Sequence, residues 1–249
     1  MTEKTFSKGA GIIPDFFHDI LAYIIPGYSA IILVVMNNSI INGQGFDYFK
    51  EIDFLTISIM FLVAYVIGRF FEQLGKIIIH SKKNNPKWSL IFDEKSTDYT
   101  QEFKESVNEK IKSWLINTFD EKFLEECIKD KKDDYFNIIQ FYLRERFPAV
   151  ALYEKKQNAN IVLTRSLSLI FVMNIIIYFI MMFITTECEN INFSWTATSW
   201  ILVNLLFSYV FYLRFKQDRK YHAMYIFENF MALKKLLKSK RNSTKNTKK

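Results

Sequence analysis

The chain has 249 residues, of which 50% are hydrophobic and 24% charged, with a formal net charge of +7. Its apolar residues are gathered into four runs divided by highly charged segments. A soluble core of this size spreads its apolar residues periodically, so most soluble enzyme classes are excluded. Two cysteines, Cys127 and Cys188, placed far apart, exclude a disulfide scaffold and a structural zinc site.

Residues 1–19 form an N-terminal segment with Lys4 and Lys8, and Asp15, His18 and Asp19 stand just before the first run. That run, Ile20–Met36, has no small-x-small cleavage site behind it and is expected to stay as an anchor. Pro26 and Gly27 fall inside it and read as a packing kink or as a hinge, since neighbouring helices satisfy the backbone groups that proline frees. The second run, Phe54–Gly68, is short but resumes after Arg69 as Phe70, Phe71 and Leu74, with Arg69 able to snorkel to the interface. Arg69 and Glu72 lie at i and i+3 and are expected to pair.

The middle segment, residues 72–160, is charge-balanced, with 16 Lys and Arg against 16 Asp and Glu. It lacks the net positive charge of a nucleic-acid platform. Three helical stripes are legible in it. The first holds Phe103, Val107, Ile111 and Trp114, the second Phe123, Leu124, Cys127 and Ile128, and the third Tyr135, Ile138, Ile139, Tyr142 and Leu143. Asp98 or Thr100 is placed to cap the first helix and Asp120 the second. Pro148 ends the third, after which the chain is helix-compatible into the third run, Ile161–Ile184.

The fourth run, Trp195–Leu213, continues past Arg214 with apolar residues at intervals of three and four, which predicts an amphipathic helix over 214–237. Residues 238–249 are polar and basic and are expected to be disordered and drawn to anionic headgroups. A bilayer core of roughly 30 Å takes about 20 helical residues. The expected fold is therefore all-α: a polytopic integral membrane protein with four transmembrane helices in two hairpins, 20–71 and 161–213, and a helical cytoplasmic insert at 72–160.

Lysine and arginine set the orientation. The first loop, Asn37–Asp53, carries Lys50 against Asp47, Glu51 and Asp53. The loop at 185–194 carries no base, and the tail from Arg214 carries 12 bases against 2 acids. Both termini and the middle segment are thus expected in the cytoplasm. Trp195, Trp200, Phe46 and Tyr48 suit an outer aromatic belt.

Motifs for chemistry are missing: no P-loop, HExxH, GxSxG, GxGxxG or CxxC occurs. His18, His80 and His222 all fall near the expected cytoplasmic membrane edge. They read as interfacial residues or, alternatively, as an embedded catalytic cluster. A non-enzymatic protein without cofactor or metal is expected. Polar residues inside the runs carry more weight, because intramembrane polar groups are costly and face a partner helix or a water path. Arg165 lies near the inner edge and is expected to snorkel or to pair. Asn174 and Asn204 lie about halfway across from opposite sides, with Ser208 near them. These amides pair between helices, or they line a pore in an oligomer. No Asp or Glu lies deep in a run, and no repeat links the two hairpins, which disfavours a proton-coupled or repeat-based transporter.

The stretches Asp15-Phe-Phe-His-Asp19, Ile24-Ile-Pro-Gly27 and Ala64-Tyr-Val-Ile-Gly68 resemble a family of bacterial four-span proteins, including small multi-pass accessory proteins beside CRISPR loci (type VI-B among them) and other antiviral loci. The resemblance covers the first third of the chain. It implies a bacterial inner-membrane protein that modulates or executes an antiviral response, and it carries over no catalytic residue. With the polar residues above, it suggests a homo-oligomeric pore-type effector. The alternative is a membrane scaffold or regulator binding a cytoplasmic partner protein.

Overall fold

The computed structural model describes residues 16, 18–42, 54–79, 100–118, 132–185 and 195–246. All of its elements are helical, and no strand occurs among the described residues. Helix α1 spans Ile25–Asn42, α2 Phe54–Ile79, α3 Gln101–Thr118, α4 Lys132–Arg146, α5 Pro148–Thr185 and α6 Trp195–Asn246. Four segments are long and apolar enough to cross a membrane: Ile20–Ile41, Thr56–Ile79, Pro148–Ile184 and Trp195–Ala232. The protein is all-α and polytopic. It divides into two compact units, Met1–Asn84 with Lys155–Asp218, and Asn85–Glu154 with Arg219–Lys249.

In the first unit, a π-helical turn at Ile20–Ile24 precedes α1, and the N–H of Ile25 bonds the carbonyl of Ile20. Pro26 lacks an N–H, and its ring crowds the carbonyl four residues back; a widened turn relieves both problems. One turn on, α1 and α2 touch backbone to backbone. A Cβ on Gly27 would lie 1.7 Å from the carbonyl oxygen of Ala64, and one on Gly68 would lie 1.9 Å from that of Tyr23. Small residues allow such an approach, and in lipid, where apolar surface gives no net drive, close packing is what holds helices together.

Helix α5 is the centre of this unit. Seven consecutive residues, Thr164 to Ile170, are buried, so the helix is surrounded at that level. Helix α6 presents one narrow seam, Ala197, Asn204, Ser208 and Phe215, and exposes Leu202, Leu205, Leu206 and Tyr209 around it. Phe171 of α5 packs against both Phe207 and Phe211 of α6, with ring centroids 5.3 and 5.7 Å away.

The second unit has a core of Ile111, Phe136, Ile139, Leu143, Val150, Ala223, Ile226, Phe227 and Phe230. It joins the visible parts of the first and third stripes to α6. Trp114 stands edge-on to Tyr142 and to Phe230, at 5.0 Å in each case. Lys104 N–H bonds the carbonyl of Thr100, the first bond of α3. Phe147 alone separates α4 from α5: its N–H bonds Leu143, its carbonyl accepts from Val150 and Ala151, and Pro148 takes the first helical position, where a missing N–H costs nothing. The side chains of Phe103, Val107 and Tyr135, the second stripe with Cys127, the cap at Asp120, and Cys188, Phe46 and Tyr48 lie outside the described residues.

Two boundaries differ from the sequence reading. Helix α1 runs through Asn42, so residues 37–42 are helical rather than loop. The segment expected to be disordered from residue 238 is helical through Asn246 as the end of α6. Extending an existing helix needs no new nucleus, and lysine and arginine are good helix formers.

Candidate functional site

The structure brings the two central amides together and adds two residues to them. Trp200 Nε1 donates to Asn37 Oδ1 at 2.8 Å, and Asn37 Nδ2 donates to Asn174 Oδ1 at 2.8 Å. Asn174 Nδ2 donates to Asn204 Oδ1 at 2.9 Å, and Asn204 Nδ2 closes the circuit on the backbone carbonyl of Trp200 at 2.8 Å. Asn37, Asn174 and Asn204 are 0%, 2% and 1% exposed, so the ring excludes lipid and water alike. An amide carries both donors and an acceptor, and hydrocarbon offers partners for neither. A closed ring is therefore the arrangement in which three amides can be buried together. It ties α1, α5 and α6.

A second polar layer lies one to two turns along α5. Ser168 Oγ donates to the Ser208 carbonyl and Ser208 Oγ to the Ser168 carbonyl, both at 3.0 Å. The reciprocal pair lets α5 and α6 approach with no side chain larger than a hydroxymethyl between them.

The third layer is charged. Glu72, 4% exposed, pairs with Arg69 Nη1 at 3.4 Å and with Lys76 one turn on. Arg69 also donates to the Tyr23 hydroxyl at 3.0 Å and lies over its ring at 4.6 Å. Arg165 does not snorkel. It is 3% exposed, reaches the backbone carbonyl of Glu72 at 3.5 Å, and lies against Gly75, where an added Cβ would sit 3.2 Å from its Nε. That Nε has no hydrogen-bond partner among the described residues. The bare Gly75 backbone makes room for the guanidinium, and the Glu72 carbonyl accepts one of its N–H groups.

Pro26 and Gly27 are both buried at the α1–α2 contact already described. His18 pairs with Asp19 at 3.5 Å and stands edge-on to Tyr23. His222 belongs to the second unit, and His80 lies outside the described residues. In the second unit, His222 Nε2 is 3.8 Å from Glu154 Oε1. Glu154 is 0% exposed and is also met by Arg144 Nε at 3.2 Å and by the Gln140 amide. Three helices, α4, α5 and α6, thus converge on one buried carboxylate. No three His, Cys, Asp or Glu side chains converge on a metal-sized centre among the described residues.

Asn37 and Trp200 were not legible as site residues. Asn-Asn-Ser after an apolar run reads as the start of a loop, and a tryptophan near a span end reads as part of an aromatic belt. The one available signal was that Ile40 and Ile41 resume the apolar pattern after Asn37–Ser39. Comparison of the chain with protein families, with curated proteins and with solved structures gives no match.

Proposed function

We propose that the chain is a non-enzymatic membrane scaffold or regulator: the first unit anchors it, and the second, on the cytoplasmic side by the positive-inside rule, binds a partner protein. The amide ring carries this reading. Asn37, Asn174 and Asn204 are turned toward one another and Trp200, an arrangement that holds helices together and offers no amide to a lumen. The second unit adds exposed apolar side chains, among them Phe141 and Leu152, which suit a protein contact. The resemblance noted above supplies a setting, antiviral defence at a bacterial inner membrane, with a defence protein as the partner.

The test is ion flux through the purified full-length protein in liposomes, with its oligomeric size measured on the same sample. Vesicles that stay tight around a well-folded protein are the expected result. Flux from a defined oligomer, lost on replacing Asn174 and Asn204 with leucine while insertion is kept, would overturn the scaffold reading and establish a pore-type effector.

A further inference from the structure

Beside the amide ring, between α1, α2 and α5, lies a cavity of about 360 Å³ with hardly any polar surface. Each helix lines it with residues at helical spacing: Ala30 and Leu33 on α1, Ile67 and Phe71 on α2, Ile170 and Met173 on α5. Asn37 follows Leu33 by four residues, and Asn174 follows Ile170 by four. The cavity therefore lies on the same faces of α1 and α5 as the ring and abuts it.

Asn174 is itself in the wall. Its Oδ1 accepts from Asn37 and its Nδ2 donates to Asn204, and the residue is 2% exposed. A water molecule needs several polar partners, and this wall offers a single amide that is already engaged. Left empty, a space of this size forfeits dispersion contacts along its lining. Hydrocarbon suits it, and its volume falls within the usual range for a ligand pocket. Val34, which also lines the cavity, is 40% exposed, so the cavity opens to the side of the bundle, where lipid chains lie. The lining holds no charged residue, and helical periodicity puts Arg69 and Lys76 across α2 from Ile67 and Phe71. Nothing in the wall selects a headgroup.

We propose that the cavity is a binding site for one hydrocarbon chain of a bilayer lipid, taken without regard to the lipid's headgroup. The chain packs against Leu33 on one side and Ile170 and Met173 on another. It thereby adds contacts between α1 and α5, two of the helices that the amide ring ties.

The experiment uses the full chain in mild detergent. Retained lipid and oligomeric size are read by native mass spectrometry, and stability by thermal unfolding. The probes are phosphatidylglycerol and phosphatidylcholine of identical chains, and decane, which has no headgroup. The two lipids are expected to be retained equally, one per chain, and decane to displace either and to raise Tm. Ala30→Leu extends a side chain into the cavity and is expected to weaken retention about tenfold, the loss of about two buried methylenes. Val66→Leu, at a position 66% exposed on α2, is expected to leave retention unchanged. A preference between the two lipids would move the determinant to the headgroup. Decane without effect would close the cavity to hydrocarbon, and a dimer that retains no lipid would give it to a second copy. Each of these results would overturn the proposal, as would Ala30→Leu with full retention or Val66→Leu with an equal loss. The probe comparisons use the wild-type protein alone, so they stand even if a variant fails to fold.

Discussion

Replacing Asn174 with leucine is the sharpest perturbation of the amide ring. It removes two bonds, the one accepted from Asn37 at 2.8 Å and the one donated to Asn204 at 2.9 Å. It leaves Asn37 Nδ2 and Asn204 Oδ1 buried without those partners. Interhelical bonds in membrane proteins average about 0.6 kcal/mol and reach about 1.7. Two such bonds give about 1.2 to 3.4 kcal/mol, and the upper part of that range applies because each orphaned group bears a desolvation penalty of its own. Adding Asn204→Leu removes one of the two orphans. It also takes away the bond to the Trp200 carbonyl, which retains its place in the α6 backbone. The second substitution should therefore add less than about 1 kcal/mol to the first, although alone it should cost about as much as Asn174→Leu. A double-mutant cycle on reversible unfolding of the purified protein in detergent measures this directly. The expected coupling is at least about 1 kcal/mol. Two single variants with full stability, or strictly additive losses, would refute the ring as a structural unit. Should flux be lost with stability unchanged, the amides act on a permeation path instead.

Gly27→Ala and Gly68→Ala each place a methyl against a backbone oxygen under 2 Å away, so α1 and α2 must move apart. A loss of about 1–3 kcal/mol or more is expected despite alanine's better helix propensity, whereas Gly75→Ala, whose nearest neighbours are side-chain atoms of Arg165 rather than backbone, should cost less; thermal unfolding ranks the three. In the second unit, Arg144→Ala strands Glu154, which is 0% exposed, and should cost about 2–3 kcal/mol, less than a fully buried pair because Arg144 is half exposed. Glu154→Gln should cost less, since the guanidinium it releases returns to water; a larger loss for Glu154→Gln than for Arg144→Ala would invert the expected asymmetry. Thiol labelling of intact cells with an impermeant reagent should modify Cys188 and spare Cys127, and the reverse pattern would turn the assigned topology over.

The fold class was legible because length and apolarity alone decide whether a helix can cross a bilayer, and neither depends on tertiary contacts. The pairing of Asn174 with Asn204 was legible for a related reason. Depth is nearly linear in residue number within a span, so two amides at one depth on adjacent helices are natural partners. Asn37 escaped because local pattern opposes it: three polar residues in a row signal a helix end, and the Trp200 indole and the Asn174 carbonyl oxygen that let Asn37 be buried in a helix are both remote in sequence. Arg165 escaped likewise. Snorkelling is the default for an arginine near a span end, and what overrides it is Gly75 on another helix, whose missing side chain opens the space. Glu154 was the least legible, since a buried carboxylate is recognised by its partners, and these come from α4 and α6 as well as its own helix.

The three polar layers differ in what they can do. The serine pair binds carbonyls that already belong to helices, so breaking it strands little. The amide ring is closed, so any sliding of α1 against α5 must break bonds at 2.8 Å with no water to replace them. The charged layer is open: Arg69 and Lys76 are half exposed, and the Nε of Arg165 has no partner among the described residues. A signal that rearranges the spans therefore meets its highest barrier at the ring and its lowest at the charged end. On the regulator reading proposed above, the response belongs at that end, while the middle of the bundle stays fixed.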